Sequence, residues 1–248
     1  MSLQNRETLR KYFKKGNLPS EQNFNDLIDS FLNKVDDGVS KSIDDGLMLS
    51  PIGDSKKLMS FYRSIEEKSA AWSIDIERGT TDLHIKNHRG HEVLSLRENG
   101  HVGINAKNAK TTLEVGGVIG AHGRKGIAYD GKIPGDGNWH PMIENLRGCH
   151  AFEIVAGIGK QKTGKYALVV ASALTTYGKS KSRIKILQAH YGSRGNKLQL
   201  RWRGDIYDQR LEIRSRINYG DGFNIQFHVS KLWHDPLMNE CLDNEVKK

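Results

Sequence analysis

Arginines recur at alternate positions in two stretches near the end of the chain: Arg201 and Arg203 within residues 197–203, Arg214 and Arg216 within residues 210–217. Side chains two apart share a face of a strand. Each pair therefore lies opposite an apolar set, Leu198, Leu200 and Trp202 in the first stretch and Leu211, Ile213 and Ile217 in the second. Arg183 and Lys185 repeat the pattern upstream. Planar guanidinium forks bind carboxylates, phosphates and sulfates, so these strands offer an anion-binding face; the plainer reading is a solvated sheet surface. Four aromatic residues fall in turns or at strand ends. Trp139 precedes His140 in the turn-rich Gly135-Asp136-Gly137-Asn138 stretch, and Tyr177, Tyr191 and Tyr207 follow or separate strands. Exposed rings stack on sugars while neighbouring polar groups bond the hydroxyls. The competing role for Trp139 is a plug at one end of a sandwich. Trp202 and Trp233, on apolar faces, read as core.

Other chemistries have less to build on. Glu144, Glu153, Asp205, Asp208 and Asp235 contain possible carboxylate pairs for glycoside cleavage, yet there is no long repeat, nucleophile elbow, P-loop or dinucleotide fingerprint. No catalytic residue and no cofactor is expected. His84, His88, His91 and His101 would converge in a symmetric assembly, but their spacing is no ligand motif, so no metal is expected. Cys149 and Cys241 read as two reduced thiols.

The net charge is +9. Residues 117–248 hold 21 Lys and Arg against 12 Asp and Glu, so the whole excess lies there and residues 1–116 are neutral. A basic half attracts polyanions. No nucleic-acid reading motif accompanies it, so nucleic acid is not the expected partner. No apolar run approaches the roughly 20 residues of a membrane helix, and the charged start MSLQNRETLRKYFKKG has no signal-like apolar core. The expectation is synthesis in the cytoplasm without a signal peptide, action outside the cell and no membrane insertion.

The elements that position these residues are mostly strands. Asn5 caps a first helix to about Lys15, and Ser20 caps a second to about Val35 with an apolar stripe of Phe24, Leu27, Ile28, Phe31, Leu32 and Val35. From Ser42 the period becomes two: Trp72, Ile74 and Ile76, then Leu83 and Ile85, Leu94 and Leu96, Val102 and Ile104, Leu113 and Val115, with Asn99-Gly100 as the strongest hairpin signal. Such strands have little core of their own, and trimerisation around a shared axis would supply it. The longer strands 149–156, 166–174, 183–191, 197–203, 210–217 and 223–233 read as an antiparallel sandwich. The expected fold class is mostly β: a helical attachment and oligomerisation segment (1–40), a β-strand shaft (41–119), a β-sandwich head (120–237) and a polar tail (238–248), assembled as an elongated trimer.

The segment ENGHVGINAKNAKTTLEVGGVIG resembles an element of phage tail fibres and of adhesins from contractile injection particles, in which N-G-x-V-G-I, a loop and T-L-x-V-x-G lead into the next domain. The matching positions are Asn99, Gly100, Val102, Gly103 and Ile104, then Thr112, Leu113, Val115 and Gly117. The loop departs from the pattern: Ala106-Lys107-Asn108-Ala109 stands where many members carry Gly and Pro. The start NRETLRKYFKKGNLPSEQNFNDLIDSFLNKVDDG and the stretches GNWHPMIENLRGCHAFEIVAG, KLQLRWRGD and FHVSKLW are similar to the same group. The resemblance implies a non-enzymatic homotrimer. Its N-terminal helices would meet a baseplate or particle protein, and its head a cell-surface glycan or other anionic receptor. Alternatives are a free lectin-like protein, a structural connector of the particle and a polysaccharide-degrading tailspike.

Overall fold

The computed structural model describes residues 4–31, 34–64 and 66–241. The chain is mostly β and divides into two compact units, Met1–Gly120 and Ala121–Lys248.

The first unit opens with α1 (Arg6–Tyr12) and α2 (Glu21–Asp29). Asn5 Oδ1 accepts from Thr8 N at 2.9 Å, and Ser20 and Asn23 form a reciprocal capping box, satisfying N–H groups that a helix start leaves unpaired. Tyr12 donates to Asp26 at 3.2 Å and the Phe13 and Phe24 rings meet edge-on at 5.5 Å. The second helix stops earlier than its apolar stripe suggests. Ser30 turns its hydroxyl back onto the Asp26 carbonyl at 2.6 Å and its N–H onto Leu27 and Ile28, closing the helix at Asp29. Leu32 and the Val35 side chain lie outside the described residues. Phe24, Ile28 and Phe31 are exposed.

A short α3 (Lys34–Asp37) and the hairpin β1 (Val39–Ser42) and β2 (Gly46–Leu49) lead to a six-stranded sheet. Its strands are β3 (Lys57–Phe61), β4 (Trp72–Ile76), β5 (Leu83–Asn87), β6 (Glu92–Leu96), β7 (Val102–Ile104) and β8 (Leu113–Val115), neighbours in that order. All pairs are antiparallel except β7 with β8. Gly100, at φ +82°, supplies the turn before β7.

The second unit is a sandwich. One sheet has the order β13-β12-β11-β16-β9, from β9 (Tyr129–Pro134), β11 (His150–Gly159), β12 (Tyr166–Thr175), β13 (Arg183–Tyr191) and β16 (Asn224–Lys231). The other has the order β10-β15-β14, from β10 (His140–Leu146), β14 (Leu198–Gly204) and β15 (Gln209–Ser215). Phe152, Ile154, Val169, Leu198, Leu211, Ile213, Ile225 and Val229 are fully buried between them. Alternation in β12 is complete, every second residue from Ala167 to Thr175 being buried.

Two of these strands, β9 and β10, run through sequence that does not alternate cleanly. The pairing of β10 with β15 shifts register between Pro141 and Ile143 and again before Leu146, and Asn145 sits at φ 57°. Bulges of this kind erase a period of two. The placement of Trp233 in the core is corrected: β16 ends at Lys231, the alternation stops, and Trp233 is 37% exposed with its Nε1 donating to the Asp235 carbonyl. Trp202 packs against the core, stacked on Phe152 at 6.2 Å. Beyond Asp235, residues Asn239–Cys241 form a 3-10 turn, and residues 242–248 lie outside the described residues.

Candidate functional site

The outward face of the three-stranded sheet gathers four of the predicted residues. Gly137, at φ +89°, donates its N–H to the buried Ser215 hydroxyl at 3.1 Å, tying the 135–140 turn to β15. Asp136 bonds His140 Nε2 at 2.9 Å and accepts from the Asn138 backbone and side chain. His140 first, then the two Asn138 donors, hold the Asp136 carboxyl down to about 2. The turn so fixed delivers Trp139, half-buried, to the sheet face. The Arg201 and Arg214 guanidinium carbons lie 4.1 and 4.5 Å from its ring centroid, within cation–π range.

The arginines are braced from below. Arg201 Nε donates to Glu212 at 2.6 Å, Arg210 forms an ion pair with the other Glu212 oxygen, its Nε at 2.7 Å, and Arg214 Nε donates to Gln199 Oε1 at 2.8 Å. Glu212 is 3% exposed although its position in β15 points it outward, because the arginines cover it. Arg203 stands opposite Arg210 across β14 and β15. It also lines a polar groove of about 510 Å³ with Lys179, Ser182, Trp202 and Gln209. Arg216, just past β15, is exposed. Gln199, Arg210 and Glu212 also belong to this site, though none is among the candidate residues expected from sequence. The same alternation that pairs Arg201 with Arg203 places all three on this face.

The remaining aromatic candidates lie elsewhere in the sandwich. Tyr177 and Tyr207 meet edge-on at 6.2 Å with Arg147 over the Tyr207 ring at 5.4 Å. Their loops are locked together: Gly178 N bonds the Ile206 carbonyl and Lys179 pairs with Asp205 at 2.8 Å. Tyr177 adopts φ 139°, a strained value for a side-chain-bearing residue. Tyr191 pairs with Tyr166 at 6.2 Å beside an open hollow of about 460 Å³. Among the candidate carboxylates, Glu153 pairs with Arg124, Asp205 with Lys179, and Asp235 accepts from Glu240 N, while Glu144 is exposed.

The first unit holds a different surface. Cross-strand register lines up Met59, Ile74, Ile85, Leu94, Ile104 and Val115 in one row and Ile76, Leu83, Leu96, Val102 and Leu113 in the next. None of these eleven is buried, and Leu113 is 57% exposed, while Trp72 and Phe61 continue the face at its edge. The buried side of this sheet is the polar one: Ser73, Asp75, Asp82, His84 and Ser95. Lys86 pairs with Asp75 at 3.0 Å, Arg97 with Asp82 at 3.3 Å, and the loop after β7 crosses here so closely that a Cβ on Gly103 would lie 2.0 Å from the Ala106 carbonyl. Of the histidines, His84 is buried near Glu92, His101 bonds the Ala109 carbonyl, and His88 and His91 are exposed. Among the described residues, no group of three or more His, Cys, Asp and Glu is placed to hold a metal ion.

Neither a protein-family model nor a curated protein matches the chain. An arginine face over an indole suits reversible binding of anionic, ring-bearing ligands. An uncovered apolar sheet suits assembly.

Proposed function

We propose that this chain is a fibre-type adhesin for a phage or phage-tail-like particle, assembled from copies of itself and binding a surface receptor through its second unit. The observation that carries the reading is the inverted burial of the six-stranded sheet. Two continuous apolar rows stay partly or fully exposed in the single chain while polar and charged side chains fill the covered side. Monomers rarely expose contiguous apolar patches above a few hundred Å². A homotrimer that buries these rows against one another recovers the missing core. It also presents three receptor-binding units together, so that modest single-site affinity becomes stable attachment. The exposed apolar side chains of Phe24 and Ile28 on α2 and of Phe31 just beyond it are the proposed contact for a baseplate or other particle protein. The arginine–tryptophan face of the second unit is the proposed receptor contact, for a glycan or another anionic surface group.

The test is the native mass of the full chain by light scattering at low micromolar concentration, paired with attachment of the labelled protein to candidate host cells. A stable trimer that attaches is expected. A monomer removes the assembly argument, and a trimer that attaches to no cell surface leaves only the connector reading.

A further inference from the structure

We propose that the Trp139 face is a seat for a tetrahedral oxyanion ester carried on a sugar, a phosphate or sulfate group with three terminal oxygens. This names the ligand class for the adhesin reading and takes its biological meaning from it.

Three features of the face converge on this chemistry. First, Arg201 and Arg214 each donate Nε to a protein acceptor, Glu212 or Gln199, and Arg210 sets its Nε against Glu212 in an ion pair. Among the described residues their terminal nitrogens make no hydrogen bond, so three forks are held at the root and open to a ligand at the tip. Holding a long side chain in place before the ligand arrives removes much of the ordering cost of binding. Second, the charge is unbalanced. Arg201, Arg203, Arg210 and Arg214 stand on this face, with Glu212 shared between Arg201 and Arg210, and Arg203 lies directly opposite Arg210 in the register. Like charges in that relation repel, and a bound anion relieves the repulsion. Third, two guanidinium carbons lie within 4.5 Å of one indole centroid, placing an aromatic wall beside the charge, and rings of this kind pack against sugars. A carboxylate brings two oxygens and one charge. An ester oxyanion brings three oxygens, and a phosphate monoester close to two charges at neutral pH, which matches three forks better.

The experiment titrates the full chain with glucose 6-phosphate, glucose 6-sulfate, glucuronate, glucose and a thymidine oligonucleotide, following tryptophan fluorescence with Trp139→Phe as the reference. Glucose 6-phosphate or glucose 6-sulfate is expected to bind at least tenfold more tightly than glucuronate, the tighter of the two naming the ester, with no response to glucose. Arg214→Lys keeps the charge, leaves Glu212 paired and removes one fork; it should weaken binding at least fivefold. The pair Arg201→Gln and Arg214→Gln should weaken it more than tenfold. The equal charge change Arg183→Gln with Lys185→Gln, on the other sheet, should stay within twofold. Glucuronate binding as tightly as the esters overturns the seat. So does an Arg214→Lys protein that binds normally, an Arg183/Lys185 control that loses as much, or an oligonucleotide that binds more tightly than either sugar ester. Attachment to cells that survives the Arg201/Arg214 change removes the seat from receptor binding and leaves the adhesin reading intact. Ester binding by a chain that attaches to no cell does the reverse.

Discussion

Replacing Leu96 by Glu is the sharpest probe of the exposed apolar sheet. Leu96 lies in the row Ile76, Leu83, Leu96, Val102 and Leu113 and is 40% exposed in the single chain. On the order of 70 Å² of its surface is therefore still available for burial, about 2 kcal/mol per copy at ~25 cal/mol per Å². A glutamate there loses that term and brings a carboxylate with no partner, which costs several kcal/mol more wherever water is excluded. In a symmetric trimer each copy contributes one such group. The single chain should tolerate the change, since a partly exposed position needs no new cavity and typical surface substitutions stay within about 0.5 kcal/mol. Light scattering at low micromolar concentration should show dissociation to monomer, with far-UV circular dichroism unchanged. Thr81→Glu, at an exposed position in the β4–β5 turn, should leave the assembly whole. A Leu96→Glu protein that keeps the wild-type mass would refute the assignment of this face as the interface.

Other positions give independent checks. Gln209 is 2% exposed, accepts from Thr175 at 2.6 Å and donates to the Gly148 carbonyl at 3.0 Å; Gln209→Ala takes this donor from the Gly148 carbonyl, leaves Thr175 only its bond to Ser182, and should cost about 1–3 kcal/mol in denaturant unfolding. A Cβ on Gly178 would lie 1.7 Å from the Asp205 carbonyl, so Gly178→Ala must part the loops carrying Tyr177 and Tyr207 and should lower stability by about 1–3 kcal/mol, whereas Gly123→Ala, with open space around it, should leave the melting temperature unchanged. Asp136 has its pKa depressed to about 2 by His140 and Asn138. Its contribution to the turn is therefore present above the unfolded value of about 3.9 and is lost as pH falls toward 2. Trp139 fluorescence should change across that window, and Asp136→Asn should abolish the transition.

The strands of the sandwich were legible because burial there follows the elementary period. Residues 183–191 form a strand over the expected span, and 166–174 and 197–203 each shift by no more than one residue at an end. The helix caps at Asn5 and Ser20 were legible for a similar reason, since one side chain and the backbone three residues on settle the geometry. What alternation alone decides is which residues share a face. It thus placed Arg201 with Arg203 and Arg214 with Arg216, and equally Gln199, Arg210 and Glu212. It did not decide which strands lie side by side, and without that pairing Trp139 has no reason to meet Arg201 and Arg214, some 60 to 75 positions away. The bulged β10 carries that information in its register with β15, a long-range property that no local pattern encodes. Nor could alternation say which side of the six-stranded sheet is covered. Sequence supplied an apolar side and a polar side, and the expectation that the apolar side lacks a core within one chain, but nothing about what covers the polar side. On the polar side the loop after β7 closes over the sheet, Gly103 admitting the Ala106 carbonyl, and Lys86 and Arg97 pair with Asp75 and Asp82. The apolar rows are left facing solvent, because hydrophobic burial is non-directional and can be met by another molecule as well as by the same chain.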